Sequence, residues 1–132
     1  MVAFTDYRFT FERQPLARPF HFKGGFFTEK WINVVRLRPG GATAVGGNAV
    51  LWSDAAVFHG WSETGGNTLM TLLAERAVQL ARGVEFTDPI DAFSSVREEL
   101  HEYAPRITLR PEVTRTFTLN AMVALDFALW KL

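Results

Sequence analysis

The 132-residue chain has no cysteine. That absence excludes a disulfide framework, a thiolate nucleophile and any Cys-ligated zinc or iron–sulfur centre, and it fits a reducing cytoplasm. An excess of charge of either sign is also missing: fourteen Lys and Arg balance fourteen Asp and Glu, and the pI is near 6.8. Binding to a phosphate backbone requires a basic surplus, so nucleic acid is not an expected partner. No apolar run approaches the ~20 residues needed to span a bilayer. The N-terminus, with Asp6, Arg8, Glu12 and Arg13, lacks a secretory apolar segment. The expectation is a cytoplasmic protein without a membrane partner.

What is present suits a packed core. Apolar residues make up 48% of the chain, and twelve Phe, four Trp and two Tyr supply bulk. At this length the sequence predicts one domain over 1–132, with roughly two thirds of the unfolded chain's surface buried on folding.

The first third reads as strands, at about 3–14, 30–38 and 42–49. Tyr7, Phe9 and Phe11 alternate with Arg8, Thr10 and Glu12, which places aromatics on one face and polar groups on the other. Pro15 and Pro19 then predict a loop that includes Lys23, Gly24 and Gly25. Pro39-Gly40-Gly41 joins the second and third strands so tightly that they must be antiparallel.

After Trp52 the period becomes helical, with helices predicted at about 67–82, 89–104 and 115–131. Asn67 reads as the first N-cap, and Gly83 stands where a C′ glycine belongs. Asp88-Pro89 opens the second helix, and Pro105 is expected to stop it. The third, from Phe117 to Trp130, is apolar around most of its circumference and must be covered on most sides. It runs to Leu132 without Gly, Asn or Pro, so the chain reads as cut rather than finished. Asp126, set among apolar neighbours, requires a partner, for which Arg106, Arg110 and Arg115 are the candidates. The predicted class is α+β, a three-stranded antiparallel meander followed by about three packed helices.

The order of elements, the final Ala124-Leu125-Asp126-Phe127-Ala128-Leu129-Trp130, the run Pro19 to Gly25 and the stretch Gly46 to Trp52 together carry a resemblance. The chain resembles the N-terminal capping domain of the enolase superfamily, in its mandelate racemase and muconate-lactonizing branch, over nearly its whole length. Asn48 and Ala49 stand where many members of that family have a glutamate. The resemblance implies a cap that closes over the mouth of a catalytic barrel and contacts the distal part of a carboxylate substrate. The barrel, absent from this chain, is the implied partner, in cis or as a separate chain. It would carry the acid/base residues and the carboxylates for Mg²⁺, so no cofactor is expected on these residues and no catalytic residue among them. The implied parent is an isomerase or lyase that abstracts the proton α to a carboxylate: a racemase, dehydratase or cycloisomerase.

By position, the resemblance places the two cap loops at Ala17 to Glu29 and at about Asn48 to Ser62. The substrate-binding candidates it implies are His21, Phe22, Lys23 and Phe26 from the first, and Trp52, Asp54 and His59 from the second. Their chemistry suits that role: Lys23 beside two glycines can present a cation and open amides to a carboxylate, and histidines donate to anions near neutrality. Plainer readings stand beside these, a flexible turn after Pro19 and loop histidines with ordinary hydrogen bonds. Asp54, His59 and Glu63 have ligand chemistry but no recognised metal spacing, and Glu63 suits the positive N-terminus of the helix it precedes. The alternative from another class is a stand-alone small-molecule binding module, or a homo-oligomer that buries the last helix against a twin chain.

Overall fold

A computed structural model of the protein describes residues 1–22, 25–50, 62–109 and 115–132. Three strands come first, β1 (Asp6–Phe22), β2 (Gly25–Arg38) and β3 (Ala44–Ala49). Three helices follow, α1 (Glu63–Ala81), α2 (Pro89–Thr108) and α3 (Arg115–Leu129). The strands form one antiparallel sheet in the order β1-β2-β3. This is the α+β arrangement that the sequence predicts.

Alternation decides which face of the sheet meets the helices. Tyr7, Phe9 and Phe11 stand opposite Leu37, Val35 and Asn33, and Ala44, Gly46 and Asn48 extend the same face onto β3. Trp31, Asn33, Val35 and Leu37 are buried on that face. They meet α1, which lies against β2, and α3, which lies against β3 and β2. Met70, Leu73, Leu100, Met122, Leu125 and Leu129 fill the space between the layers, where each fully buried apolar side chain contributes about 1.5–3 kcal/mol.

The first strand departs from the sequence reading, which ends it near residue 14 and opens a loop. β1 continues to Phe22, because β1 is an edge strand, where a proline need not donate to a ladder. The prolines do act on the pairing. It is regular as far as Pro15↔Glu29 and resumes at Phe20↔Phe27, so residues 16–19 bulge opposite Thr28. Most of the expected first cap loop is therefore a hairpin.

The helix ends also differ. α1 begins at Glu63, not near 67, with Ser62 as N-cap: its hydroxyl accepts from the Gly65 amide at 2.9 Å. Asn67 lies inside the helix and is buried. Gly83 takes φ +78° just past α1, as a C′ glycine does. α2 starts as read, with the Asp88 carboxylate accepting from the Ile90 amide at 2.7 Å, but Pro105 does not end it. The last turn continues to Thr108, and Leu109 closes it at φ 56°. Ala104 is buried and Ile107 packs on the core, so apolar contact holds that turn despite the lost hydrogen bond.

On α3 the cover is narrower than its composition demands. Phe117, Ala121, Met122, Leu125 and Leu129 are buried, whereas Leu119, Phe127 and Trp130 are exposed. Asp126 is half-buried, so it escapes the full cost of an enclosed charge. Of its expected partners, Arg115 instead pairs with Glu98 at 2.6 Å, Arg106 is exposed, and Arg110 lies outside the described residues.

Candidate functional site

The β1–β2 hairpin and the end of β3 enclose a groove of about 240 Å³. Its walls are Leu16 and Phe20 from β1, Phe27 from β2, and Ala49 and Val50 at the end of β3, with Glu29 and Lys30 beside them. Phe20 and Phe27 face each other across the two strands, ring centroids 6.5 Å apart and planes within 15°. The Val50 amide donates to the Trp31 carbonyl at 3.0 Å, which fixes the β3 wall to the sheet.

The Glu29 carboxylate beside this apolar wall is already compensated. Arg13 donates to the two carboxylate oxygens of Glu29, from Nη2 at 2.7 Å and Nε at 3.2 Å. The indole Nε1 of Trp31 donates to the same side chain at 2.9 Å, and the Arg13 guanidinium lies 4.9 Å from the Trp31 ring centroid. The hydrogen bond from Arg13, followed by that from Trp31, holds the Glu29 carboxyl below the usual glutamate value. The groove thus offers an apolar surface with Lys30 as the cation beside it, which suits an apolar group carried by an anionic molecule.

A second carboxylate fastens the hairpin from outside the sheet. Glu63 Oε1 accepts from the amides of Thr28 at 2.7 Å and Glu29 at 3.1 Å, and its Oε2 accepts from the Thr28 hydroxyl at 2.6 Å. Successive amides of a regular strand point to opposite edges. Here, at the bulge, both reach one oxygen.

Of the residues predicted for the site, His21 and Phe26 come together. They are register partners, both exposed, with ring centroids 5.9 Å apart. The Phe22 backbone pairs with Gly25 at the end of the hairpin. Lys23, Trp52, Asp54 and His59 lie outside the described residues. Among the described residues no three His, Asp or Glu side chains gather to hold a metal ion, and Glu63 spends both oxygens on the hairpin. The described residues offer no set of side chains that fits a Mg²⁺ ion.

The groove residues Leu16, Phe20, Phe27, Ala49 and Val50 are absent from the sequence-based candidates. A usable signal exists: with Phe22 opposite Gly25, strand alternation sets Phe20 and Phe27 on one face and His21 and Phe26 on the other. Reading the segment as a loop discards that alternation. The Glu63 contact to β2 has no local signal, because it joins residues 35 apart in sequence.

This architecture, a three-stranded meander followed by three helices, is that of the N-terminal domain of enolase-superfamily proteins. Solved structures with this fold include an enolase-superfamily member from Listeria innocua, with TM-score 0.56 and 17% identity, covering 98% of this chain and 30% of that one. The L-Ala-D/L-Glu epimerase from Bacillus subtilis matches with TM-score 0.55 and 16% identity, over 97% of this chain and 30% of that one. A mandelate racemase/muconate lactonizing protein from Herpetosiphon aurantiacus matches with TM-score 0.54 and 16% identity, again over 97% and 30%. The chain thus spans about 30% of the length of the structures it resembles. No protein-family model and no curated protein matches the sequence. Among the described residues no helix is long and apolar enough to cross a membrane.

Proposed function

We propose that this chain is the specificity cap of an enolase-superfamily enzyme that abstracts a proton α to a carboxylate, as a racemase, epimerase, dehydratase or cycloisomerase. The observation that carries the reading is the likeness of fold over 97–98% of this chain to about the first 30% of such proteins. The partner is a catalytic barrel, and the substrate is a small carboxylate whose distal group enters the groove between Phe20, Phe27 and Val50. Burying that group expels water, and the binding energy gained there is realised at the reacting carbon on the barrel. Mg²⁺ and the acid/base residues belong to the barrel, and this chain alone is inactive. His21, Phe22, Lys23, Phe26, Trp52, Asp54 and His59 keep their proposed role as cap contacts, joined by the groove residues. Its setting is the cytoplasm.

The test is the coding sequence beyond Leu132, followed by an assay of its product. The expected result is a barrel with lysines near the end of an early strand and acidic residues closing three later ones, active with Mg²⁺ on a carboxylate. Metal-dependent turnover of such a substrate by the 132 residues alone would overturn the reading.

The exposed apolar residues Leu119 and Phe127 on α3 and Trp130 just past it favour a second reading, a homo-oligomer that buries this face against a twin chain. Light scattering separates the two. A monodisperse dimer whose melting midpoint rises with concentration supports the oligomer, and a monomer supports the cap.

A further inference from the structure

We infer that Glu63 is a positioning residue that sets the angle of the β1–β2 hairpin over the groove. Residues 16–19 of β1 lie opposite Thr28, so β2 loses its regular partner there and its amides at Thr28 and Glu29 turn the same way. Two consecutive amides aimed at one point form a small anion-binding concavity. Left empty, that concavity would leave β2 free to slip in register or to swing, since a bulge weakens the ladder on both sides.

Glu63 fills it with a carboxylate that belongs to the chain. Both oxygens are used, and the Thr28 hydroxyl adds a third hydrogen bond. Charge-assisted bonds to backbone amides are about twice as strong as neutral ones. Glu63 is the first residue of α1, whose next turns bury Asn67, Met70 and Thr71, the last bonded to Asn33 of β2. The carboxylate therefore holds the hairpin to a helix packed in the core.

The neighbouring network extends this grip. Glu29, whose amide Glu63 accepts, also receives Arg13 from β1 and the Trp31 indole from β2. The two carboxylates tie both hairpin strands to the start of α1, and Phe20 and Phe27 stand on the far side of the bulge from it. An ordinary role for an acid at a helix N-terminus, favouring the helix dipole, would need only the charge. The three directed bonds need its reach as well.

The consequence for the groove rests on the capping reading, but the latch is tested without substrate or barrel, so the two fail separately. The experiment is amide hydrogen exchange by NMR on the 132-residue chain and on Glu63→Gln and Glu63→Asp. Asp keeps the charge at the helix N-terminus and withdraws it by one methylene. Gln keeps the reach, with a carbonyl oxygen for the amides. The expected result is full protection of the Thr28 and Glu29 amides in the parent, partial protection in Glu63→Gln, which keeps one acceptor oxygen but loses the charge and the acceptor for the Thr28 hydroxyl, and exchange about tenfold faster or more in Glu63→Asp. The ladder amides of Val34 and Val35 should be unchanged in all three. Equal exchange at Thr28 and Glu29 in the parent and Glu63→Asp would overturn the proposal. So would an acceleration spread evenly over the ladder, which marks general loss of stability, or loss of protection in Glu63→Gln as complete as in Glu63→Asp. Should Glu63→Asp not fold, Thr28→Val carries the same comparison. It removes only the hydroxyl bond, and it is expected to speed exchange at Thr28 and Glu29 alone, an unchanged rate there being the overturning result.

Discussion

Gly46 lies directly beneath the backbone of α3 at Ala124. A Cβ on Gly46 would collide with the Ala124 carbonyl oxygen and lie 2.6 Å from the Ala128 amide nitrogen and 3.0 Å from the Phe127 Cβ. Two of these three neighbours are backbone atoms of a packed helix and cannot turn aside. Gly46→Ala should therefore push α3 off the sheet and cost about 2–3 kcal/mol, an overpacking penalty. Gly47, one residue on, is the control. A Cβ there would meet only the Asn33 carbonyl oxygen at 3.6 Å, so Gly47→Ala should stay within about 1 kcal/mol of the parent. Urea denaturation midpoints of the two variants check the contrast.

Asn33 is fully buried on β2, with its Oδ1 accepting from the Thr71 hydroxyl at 3.2 Å and its Nδ2 without a partner among the described residues. The two sides of this bond should respond differently to removal. Thr71→Val leaves a buried amide with neither oxygen nor nitrogen satisfied by a side chain, at a cost of about 1–2 kcal/mol. Asn33→Val removes the unpaired donor, and the freed Thr71 hydroxyl can turn to a carbonyl of its own helix. Thr68 and Thr108 already bond in that way, to Thr64 O at 2.7 Å and Ala104 O at 2.9 Å. Asn33→Val should thus be neutral or stabilising. Chemical denaturation of both variants and of the double variant gives the answer, and a loss in Asn33→Val as large as that in Thr71→Val would contradict it.

The buried polar residues also show where sequence reading succeeds and where it stops. Strand and helix identity follows from periodicity, because Tyr7, Phe9 and Phe11 and the spacing of Leu69, Leu73 and Ala77 each repeat a local geometry. The α2 start at Asp88-Pro89 is legible for the same reason, since the cap acts within three residues. Pro15, Pro19 and Pro105 mislead, because each carries a local penalty that tertiary context outweighs: an edge position for the first two, core contacts of Ala104 and Ile107 for the third. The groove becomes legible only once β1 is known to run past Pro15. The Glu63 contact with Thr28 is not legible at all, since no local pattern brings the start of α1 to a bulge in β2.

Pro105 makes the balance measurable. A proline inside a helix costs about 3 kcal/mol through its missing amide and its ring, while its rigidity in the unfolded chain returns about 0.4–1 kcal/mol. The first term is larger. Pro105→Ala restores the donor to the His101 carbonyl and should stabilise the protein by about 1–2 kcal/mol, after allowance for adjustments α2 has already made. The check is the thermal midpoint by circular dichroism. An unchanged or lower midpoint would contradict it.

The Arg13–Glu29 pair gives a pH dependence whose sign follows from its geometry. The hydrogen bond from Arg13, and after it that from Trp31, holds the Glu29 carboxyl below the ordinary value of 4.5. A carboxyl lowered on folding contributes stability that is fully present above its unfolded value and is lost as pH falls through the folded one. Stability should therefore decline on acidification below about pH 4.5. Glu29→Gln should be less stable than the parent at pH 6, and the gap should close below the folded value, where the parent's Glu29 is also neutral. Glu98, lowered in the same direction chiefly by its hydrogen bond from Arg115, is the comparison. Its side chain is 51% exposed against 16% for Glu29, so solvent and salt screen it more. Glu98→Gln should therefore show a smaller gap that fades further in high salt. Urea midpoints between pH 3 and 7, at low and high salt, measure both, and a gap for Glu29→Gln that widens toward low pH would reverse the assignment.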